Sequence, residues 1–276
     1  MMLRVAIIGC GKIADQHILA LRRIPDCKVV AVCDREPLMA RQLAERFRIA
    51  DHYSDAAEML RKSLPDAVHI TTPPQSHFPL AKLCLDSGSH VYLEKPFTVN
   101  ADEAEQLIAL AEDSELKITA GHNYQFTLEM LQMRRLVEDG FLGGKPVHLE
   151  SHWPYDLRDR NYVGPILGSR AHWVRQLPGQ LFHNLISHGV AKLAEFLDDE
   201  VEVFASAHQS PRLRSLGGQE VLDELRVFIR DKNDMTAFFT FSTQMKPGQN
   251  FLRICGPVNS VTVDHATGSL LRHENR

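Results

Sequence analysis

Over the first 120 positions, solid apolar runs alternate with spaced ones. Val5-Ala6-Ile7-Ile8 is continuous, as in a strand buried on both faces, and Ile13, Ile18 and Leu19 behind it are spaced to share one face of a helix. The alternation then repeats. A strand over 28–33 is followed by helices over 37–47, where Pro37 suits the first turn, and over 55–62. "DAVHITT" forms the next strand and 77–85 the next helix; "GSHVYLEKPFT" then supplies a strand ending in Glu94-Lys95-Pro96, before a helix over 101–113 and the strand "LKITAG". This βα rhythm predicts an α/β fold built on a doubly wound parallel sheet.

Beyond Tyr124 the rhythm changes. A helix over 128–138 stops at Gly140, "GKPVHLESHWP" opens strand-like, and 155–178 is irregular and rich in Arg, Gly and Trp, as in a functional loop. "QLFHNLISHGVAKLAEFL" has the apolar spacing of one amphipathic helix. Five β-rich segments follow, at 201–208, 220–230, 235–243, 250–256 and 258–263, with short turns between most of them. The pattern predicts two domains, 1–123 and 124–276, the second an α+β domain with a mainly antiparallel sheet.

Composition narrows the function classes. The chain has 276 residues, enough for two cores, and its net charge of −4 gives no overall basic field for nucleic acid or an acidic membrane surface. No stretch approaches the ~20 apolar residues of a membrane span, and "MMLRVAII" runs into the first strand without a signal-peptide pattern, so a cytoplasmic location is expected. The five cysteines, Cys10, Cys27, Cys33, Cys84 and Cys255, form no CxxC pair, which suits buried thiols rather than disulfides or a metal knuckle.

The candidate chemistry starts at the turn "GCGKIA". Gly9 can take a tight backbone conformation, Gly11 has no Cβ to block a pyrophosphate, and Ala14 permits close helix–strand packing; the first N–H groups of the helix then face the phosphate. An acidic residue is required about 20 residues on, at the end of the second strand. Asp34 is there, in "CKVVAVCDREP". A carboxylate at that place accepts from the ribose hydroxyls and favours NAD, while the adjacent Arg35 leaves NADP open.

Together, "GCGKIA", "TTPPQSH", "LEKPFT" and "GHN", in this order, resemble the glucose-fructose oxidoreductase / inositol dehydrogenase / rhizopine-catabolism (Gfo/Idh/MocA) family. The resemblance is tight over the first ~125 residues and loose beyond, with Glu-Lys-Pro after a strand as its most specific element. It implies an N-terminal Rossmann domain and a C-terminal domain whose open sheet often serves as an oligomer interface, hence a homodimer or homotetramer. It also implies hydride transfer between NAD(P) and a hydroxyl or carbonyl carbon of a sugar, inositol or related polyol. The cofactor would then lie against Gly9, Gly11, Lys12, Ile13, Asp34, Arg35, Thr71, Thr72, Pro73, His77, Glu94, Lys95 and Asn123. Lys95 becomes the catalytic-site lysine, an ammonium that polarises a carbonyl or steadies an alkoxide, and a cis Lys95–Pro96 peptide is implied.

The family's second pattern, Asp, Gly two residues on, His two further, then another Asp, falls on "HNLISHGVA" with departures. His188 occupies the His position, while Asn184, Ile186 and Ala191 stand at the others. His188 is a candidate general base and Asn184, on the same helix face, a candidate orienting group. Trp153 and Trp173 offer flat faces for a sugar ring, and Asn123 completes the expected substrate set; Arg158, Arg160, Arg170 and Arg175 could clamp an anionic group. The chain ends at "LLRHENR", before the closing strand and helix usual in the family. Two other classes stay open: a dinucleotide-binding sensor or scaffold, and an enzyme that uses tightly held NAD for transient oxidation.

Overall fold

The computed structural model describes residues 2–156, 164, 166, 168–198, 200–216 and 220–275. Arg158 and Arg160 lie outside these residues. The chain divides into two compact units, Met1–Gly121 and His122–Arg276. Asn123, placed at the end of the first domain by the sequence, therefore belongs to the second unit.

The first unit alternates β1 (Leu3–Ile8), α1 (Lys12–Leu21), β2 (Cys27–Cys33), α2 (Pro37–Phe47), β3 (Asp51–Tyr53), α3 (Ala56–Ser63), β4 (Ala67–Ile70), α4 (His77–Asp86), β5 (His90–Leu93), α5 (Ala101–Asp113) and β6 (Ile118–Ala120). Among the described residues the sheet has six strands in the order β3-β2-β1-β4-β5-β6, all parallel. That order is the doubly wound one, with helices on both faces. One face is filled by Ala6, Ile8, Val68, Ile70, Val91 and Leu93, and the other by Val5, Ile7, Ala14, Ile18 and Val32, so each solid apolar run is buried on both sides. The helix starts follow from local chemistry. Asp55 and Asn100 accept from the backbone N–H of Glu58 and Glu103, capping α3 and α5, and Pro37 sits in the first turn of α2. The short strand Asp51–Tyr53 was not anticipated, because three residues carry no periodicity.

The second unit contains α6 (Leu128–Glu138), β7 (His148–Pro154), α7 (Gln180–Leu185), α8 (Ser187–Ala194), β8 (Val201–His208), α9 (Pro211–Ser215), β9 (Glu224–Asp231), β10 (Thr236–Ser242), β11 (Phe251–Cys255), β12 (Ser260–Asp264) and β13 (Ser269–His273). Its sheet, in the described residues, has seven strands in the order β13-β12-β11-β7-β10-β9-β8. Every pairing is antiparallel except β7 with β10. Two expectations are corrected. "SLLRH" forms a further strand because Leu270 and Leu271 pair against Val263 and Thr262. The single helix expected over 180–197 is two, separated at Ile186, although Ile186 keeps right-handed helical angles and accepts from the Val190 N–H.

Period-two burial sets the faces of this sheet. Leu149, Ser151 and Trp153 on β7, and Ala237, Phe239 and Phe241 on β10, are buried, while Glu150, His152 and Phe238 alternate with them toward the opposite face. Gly189 lets α8 lie close: a Cβ there would come within 2.5 Å of the Phe239 ring and 3.3 Å of Trp153 Cβ.

Candidate active site

In the first unit the predicted residues gather where the parallel strands end. Gly9 follows β1 with φ of +99°, and an added Cβ would fall 2.8 Å from both the Thr71 carbonyl carbon and Thr72 Cγ2. Only glycine fits that corner. Gly11 is different: nothing lies within 4 Å of where its Cβ would be, and it begins α1 with no side-chain cap. Open space beside uncapped helix N–H groups is what a pyrophosphate requires, so these residues fit a dinucleotide. Ala14 beneath is fully buried, Lys12 is exposed and Ile13 is half-buried.

Asp34 stands at the end of β2. Its Oδ2 accepts from the Cys10 N–H at 2.7 Å and its Oδ1 from the Glu36 N–H at 2.9 Å, which fixes the carboxylate while lone pairs remain for ribose hydroxyls. Arg35 is exposed beside it. Cys10 and Cys33, packed against this corner, are pushed up to about 12, chiefly by burial, and stay thiols.

The 71–77 turn divides into supporting and exposed groups. Thr71 is buried and donates to the Gly9 carbonyl at 2.6 Å, while Thr72 Oγ1 accepts from Ser76 at 2.8 Å; Pro73 is exposed. His77, expected to meet cofactor, is fully buried. Its Nε2 lies 2.9 Å from the Thr72 carbonyl oxygen and its Nδ1 3.0 Å from that of Pro96, so it braces two loops against each other. Burial holds this ring below the usual histidine range.

Lys95 follows β5, and its peptide bond to Pro96 is cis, as the resemblance implied. Burial lowers the Lys95 amine from its ordinary value, with Glu94 pulling the other way. Glu94 Oε2 accepts from the Lys95 backbone N–H at 3.1 Å. Its Oε1 is 2.9 Å from His17 Nε2, a partner that sequence reasoning missed. The signal was present: with Ala14, Ile18 and Leu21 buried, position 17 lies beside the inner face of α1.

The second unit assembles its own cluster. Asn184 is buried and His188 half-buried on the same helical path. The His188 ring packs 5.7 Å from His122, 5.2 Å from Tyr124 and 5.6 Å from Trp153, centroid to centroid. Trp153 also meets Tyr124 edge-on at 4.8 Å and is 7% exposed, so it is a core residue rather than a sugar platform. Trp173 stacks on His172 and is half-buried; Asn123 is exposed. Arg170 is exposed, 3.7 Å from Glu220.

One turn beyond His188, and unforeseen, is Lys192. It is 0% exposed, its Nζ has no hydrogen-bond partner among the described residues, and it lies 4.8 Å from the Trp153 ring centroid and 5.9 Å from that of Tyr124. Burial pushes this amine down to about 7. His265, 3.5 Å from Glu129, is held neutral by burial and by the Lys192 charge. A lysine at the i+4 position from His188 interrupts the apolar face of this helix.

Residues 3–122 match the family described as "Oxidoreductase family, NAD-binding Rossmann fold", and residues 130–262 match "GFO/IDH/MocA C-terminal domain". Among curated proteins, the D-glucoside 3-dehydrogenase of Escherichia coli (strain K12) is 33% identical over 51% of this chain and 40% of its own length. The myo-inositol 2-dehydrogenase of Thermotoga maritima is 26% identical over 74% and 58%. The chain thus spans about half the length of the curated relatives it matches. Among solved structures, an NAD binding oxidoreductase from Klebsiella pneumoniae superposes with a TM-score of 0.85 at 22% identity, over 99% of this chain and 76% of that one. A scyllo-inositol dehydrogenase from Lactobacillus casei, solved with NAD(H) and scyllo-inositol, gives 0.80 at 19%, over 99% and 76%. The chain belongs to the Gfo/Idh/MocA oxidoreductase family, and its first unit is that family's NAD-binding Rossmann domain.

Because a side chain at 11 enters open space, Gly11→Leu keeps the melting temperature of the parent but weakens NADH binding at least about tenfold in a fluorescence titration; unchanged affinity would contradict the cradle. For Lys192, the folded-state value near 7 lies below the ordinary 10.5, so the cost of burying the charge is full below about pH 7 and disappears as pH rises toward 10.5. That cost is at most about 5 kcal/mol, less up to ~2 kcal/mol of cation–π attraction. Lys192→Met therefore raises the melting temperature at pH 6–7, by roughly 2–4 °C per kcal/mol, and the gain fades by about pH 10. A destabilised variant at pH 6 would refute this assignment.

Proposed function

We propose that this protein is an NAD-dependent dehydrogenase acting on a CH–OH group of a sugar, inositol or related polyol. The observation that carries the reading is the half-buried Lys95 just after β5, its amine held below its ordinary value by desolvation, in the same unit as the glycine turn and Asp34. Asp34 favours NAD over NADP because a 2′-phosphate would meet its carboxylate.

NAD supplies the hydride acceptor at its nicotinamide ring. Lys95 donates to the reacting oxygen and offsets the negative charge that develops there as the carbon–hydrogen bond breaks. Glu94 fixes the Lys95 backbone through the N–H it accepts. In the second unit, His188 is the candidate general base and Asn184 the candidate orienting group. Names of the relatives, which include glucoside, apiose and inositol dehydrogenases, support a polyhydroxylated substrate. A cytoplasmic site of action accords with the chain's reduced thiols.

The same reading includes a homodimer or homotetramer formed through the open face of the second sheet. Phe204 and Phe238 are 62% and 47% exposed there, and Phe228 lies between them with ring centroids at 6.1 and 5.4 Å. Such an aromatic row on a sheet face favours a partner surface. Light scattering at micromolar concentration should give two or four chains, and a monomer would refute the assembly.

A screen of polyols, sugar acids and nucleotide sugars with NAD and NADP tests the activity. On any substrate found, Lys95→Met should lower kcat at least about a thousandfold while NADH binding stays within about threefold, because the amine acts on charge present only in the transition state. Full activity in Lys95→Met would sink the mechanism. Tight NADH binding with no turnover across the screen would point instead to a sensor or scaffold.

A further inference from the structure

Behind Glu94 lies a chain of rings that the reaction above does not use. His17 on α1 places Nε2 2.9 Å from Glu94 Oε1 and Nδ1 2.9 Å from Nδ1 of His69 on β4. His69 stacks on Tyr92, its register partner on β5, with centroids 4.6 Å apart and planes 15° off parallel. The His17 and Glu94 side chains are only 9% and 17% exposed.

Hydrogen bookkeeping restricts this network. An ionised carboxylate only accepts, so His17 Nε2 carries a hydrogen. The contact between the two Nδ1 atoms needs a single hydrogen. Either His69 donates to a neutral His17, or an imidazolium His17 donates to His69. Burial and charge at His17 hold His69 down near 3.

We propose that His17, braced by His69, is a positioning residue for the Lys95 site: it fixes the Glu94 side chain, with one oxygen on His17 and the other on the Lys95 backbone N–H. It thereby ties the helix that begins at the glycine turn to the tip that carries Lys95. The inference rests on Lys95 being the catalytic lysine.

The balance at Glu94 shows what His17 contributes. Burial favours the protonated acid, and the His17 hydrogen bond and charge oppose it first, followed by the Lys95 backbone N–H and the Lys95 amine; the net result is a lowered value. The other titratable groups that feel the Glu94 charge are His69 on β4, Tyr92 on β5 and His77 on α4. Among the described residues none of them hydrogen-bonds the carboxylate, so removing the His17 donor leaves burial opposed mainly by Lys95.

Three variants and one spectrum test this. His17→Leu should lower kcat about tenfold or more and move the acid limb of the pH–rate profile up by about one pH unit, with NADH affinity within about threefold. His17→Gln, which keeps an N–H donor, should restore most of both. His69→Phe keeps a ring on Tyr92 but loses the Nδ1 partner, and should fall between. In the cofactor-free protein, long-range histidine ¹⁵N spectra should show His17 protonated at Nε2, and ¹³C-carboxyl titration should show the Glu94 midpoint raised in His17→Leu but not in His17→Gln. A bare Nε2 on His17, or a Glu94 midpoint unmoved in His17→Leu, would overturn the proposal whatever the activity assay shows. An inactive protein that still gives these spectra would remove only the role assigned to Lys95.

Discussion

Gly9 is pressed against the end of the neighbouring strand so closely that a single methyl group would strike the Thr71 backbone. Much of the first unit's chemistry depends on that contact. It allows β1 to turn into α1 while Thr71 donates back to the Gly9 carbonyl, and it sets the Thr72 carbonyl where His77 reaches it. His77 in turn reaches the Pro96 carbonyl, and His17 reaches Glu94. Three loops from three strand ends are thus drawn together by polar contacts through two buried or nearly buried histidines. Such a braced edge holds Lys95 and the glycine turn in one fixed relation, the preorganisation that hydride chemistry requires.

The parallel sheet was legible because its strands are buried on both faces, so their apolar runs are unbroken, and because caps and prolines mark the helix starts. Pro37, Asp55 and Asn100 each stand where a helix begins. The glycine turn and Asp34 were legible from order and spacing, and Lys95 was singled out through the family resemblance. His17 and His69 were not singled out, since a histidine carries no period of its own and their pairing brings together residues 52 positions apart. His77 was visible as a residue but misplaced in role. Its ring turns inward to two carbonyls, an orientation that spacing alone does not reveal.

In the second unit the difficulty was a lysine where the helix pattern calls for an apolar residue. Lys192 sits among Trp153, Tyr124 and His265 on the same helix as His188, and burial leaves its amine near neutrality. A buried amine without a hydrogen-bond partner costs stability, so the position is a point of tension in the core of the second unit. Trp153, by contrast, was placed on its strand correctly, but its ring packs against Tyr124, His188 and Lys192. The helix break at Ile186 and the strand over Ser269–His273 depend on pairing and packing rather than on local pattern.

The central claim, that the carboxyl edge of the six-stranded sheet is the NAD site, is tested most directly by hydrogen–deuterium exchange of the whole chain with and without saturating NAD⁺. Added protection is expected over 9–13, 34–36, 71–77 and 94–97, with β2 and β4 interiors unchanged. Protection confined to other segments, or none at saturating cofactor, would contradict it.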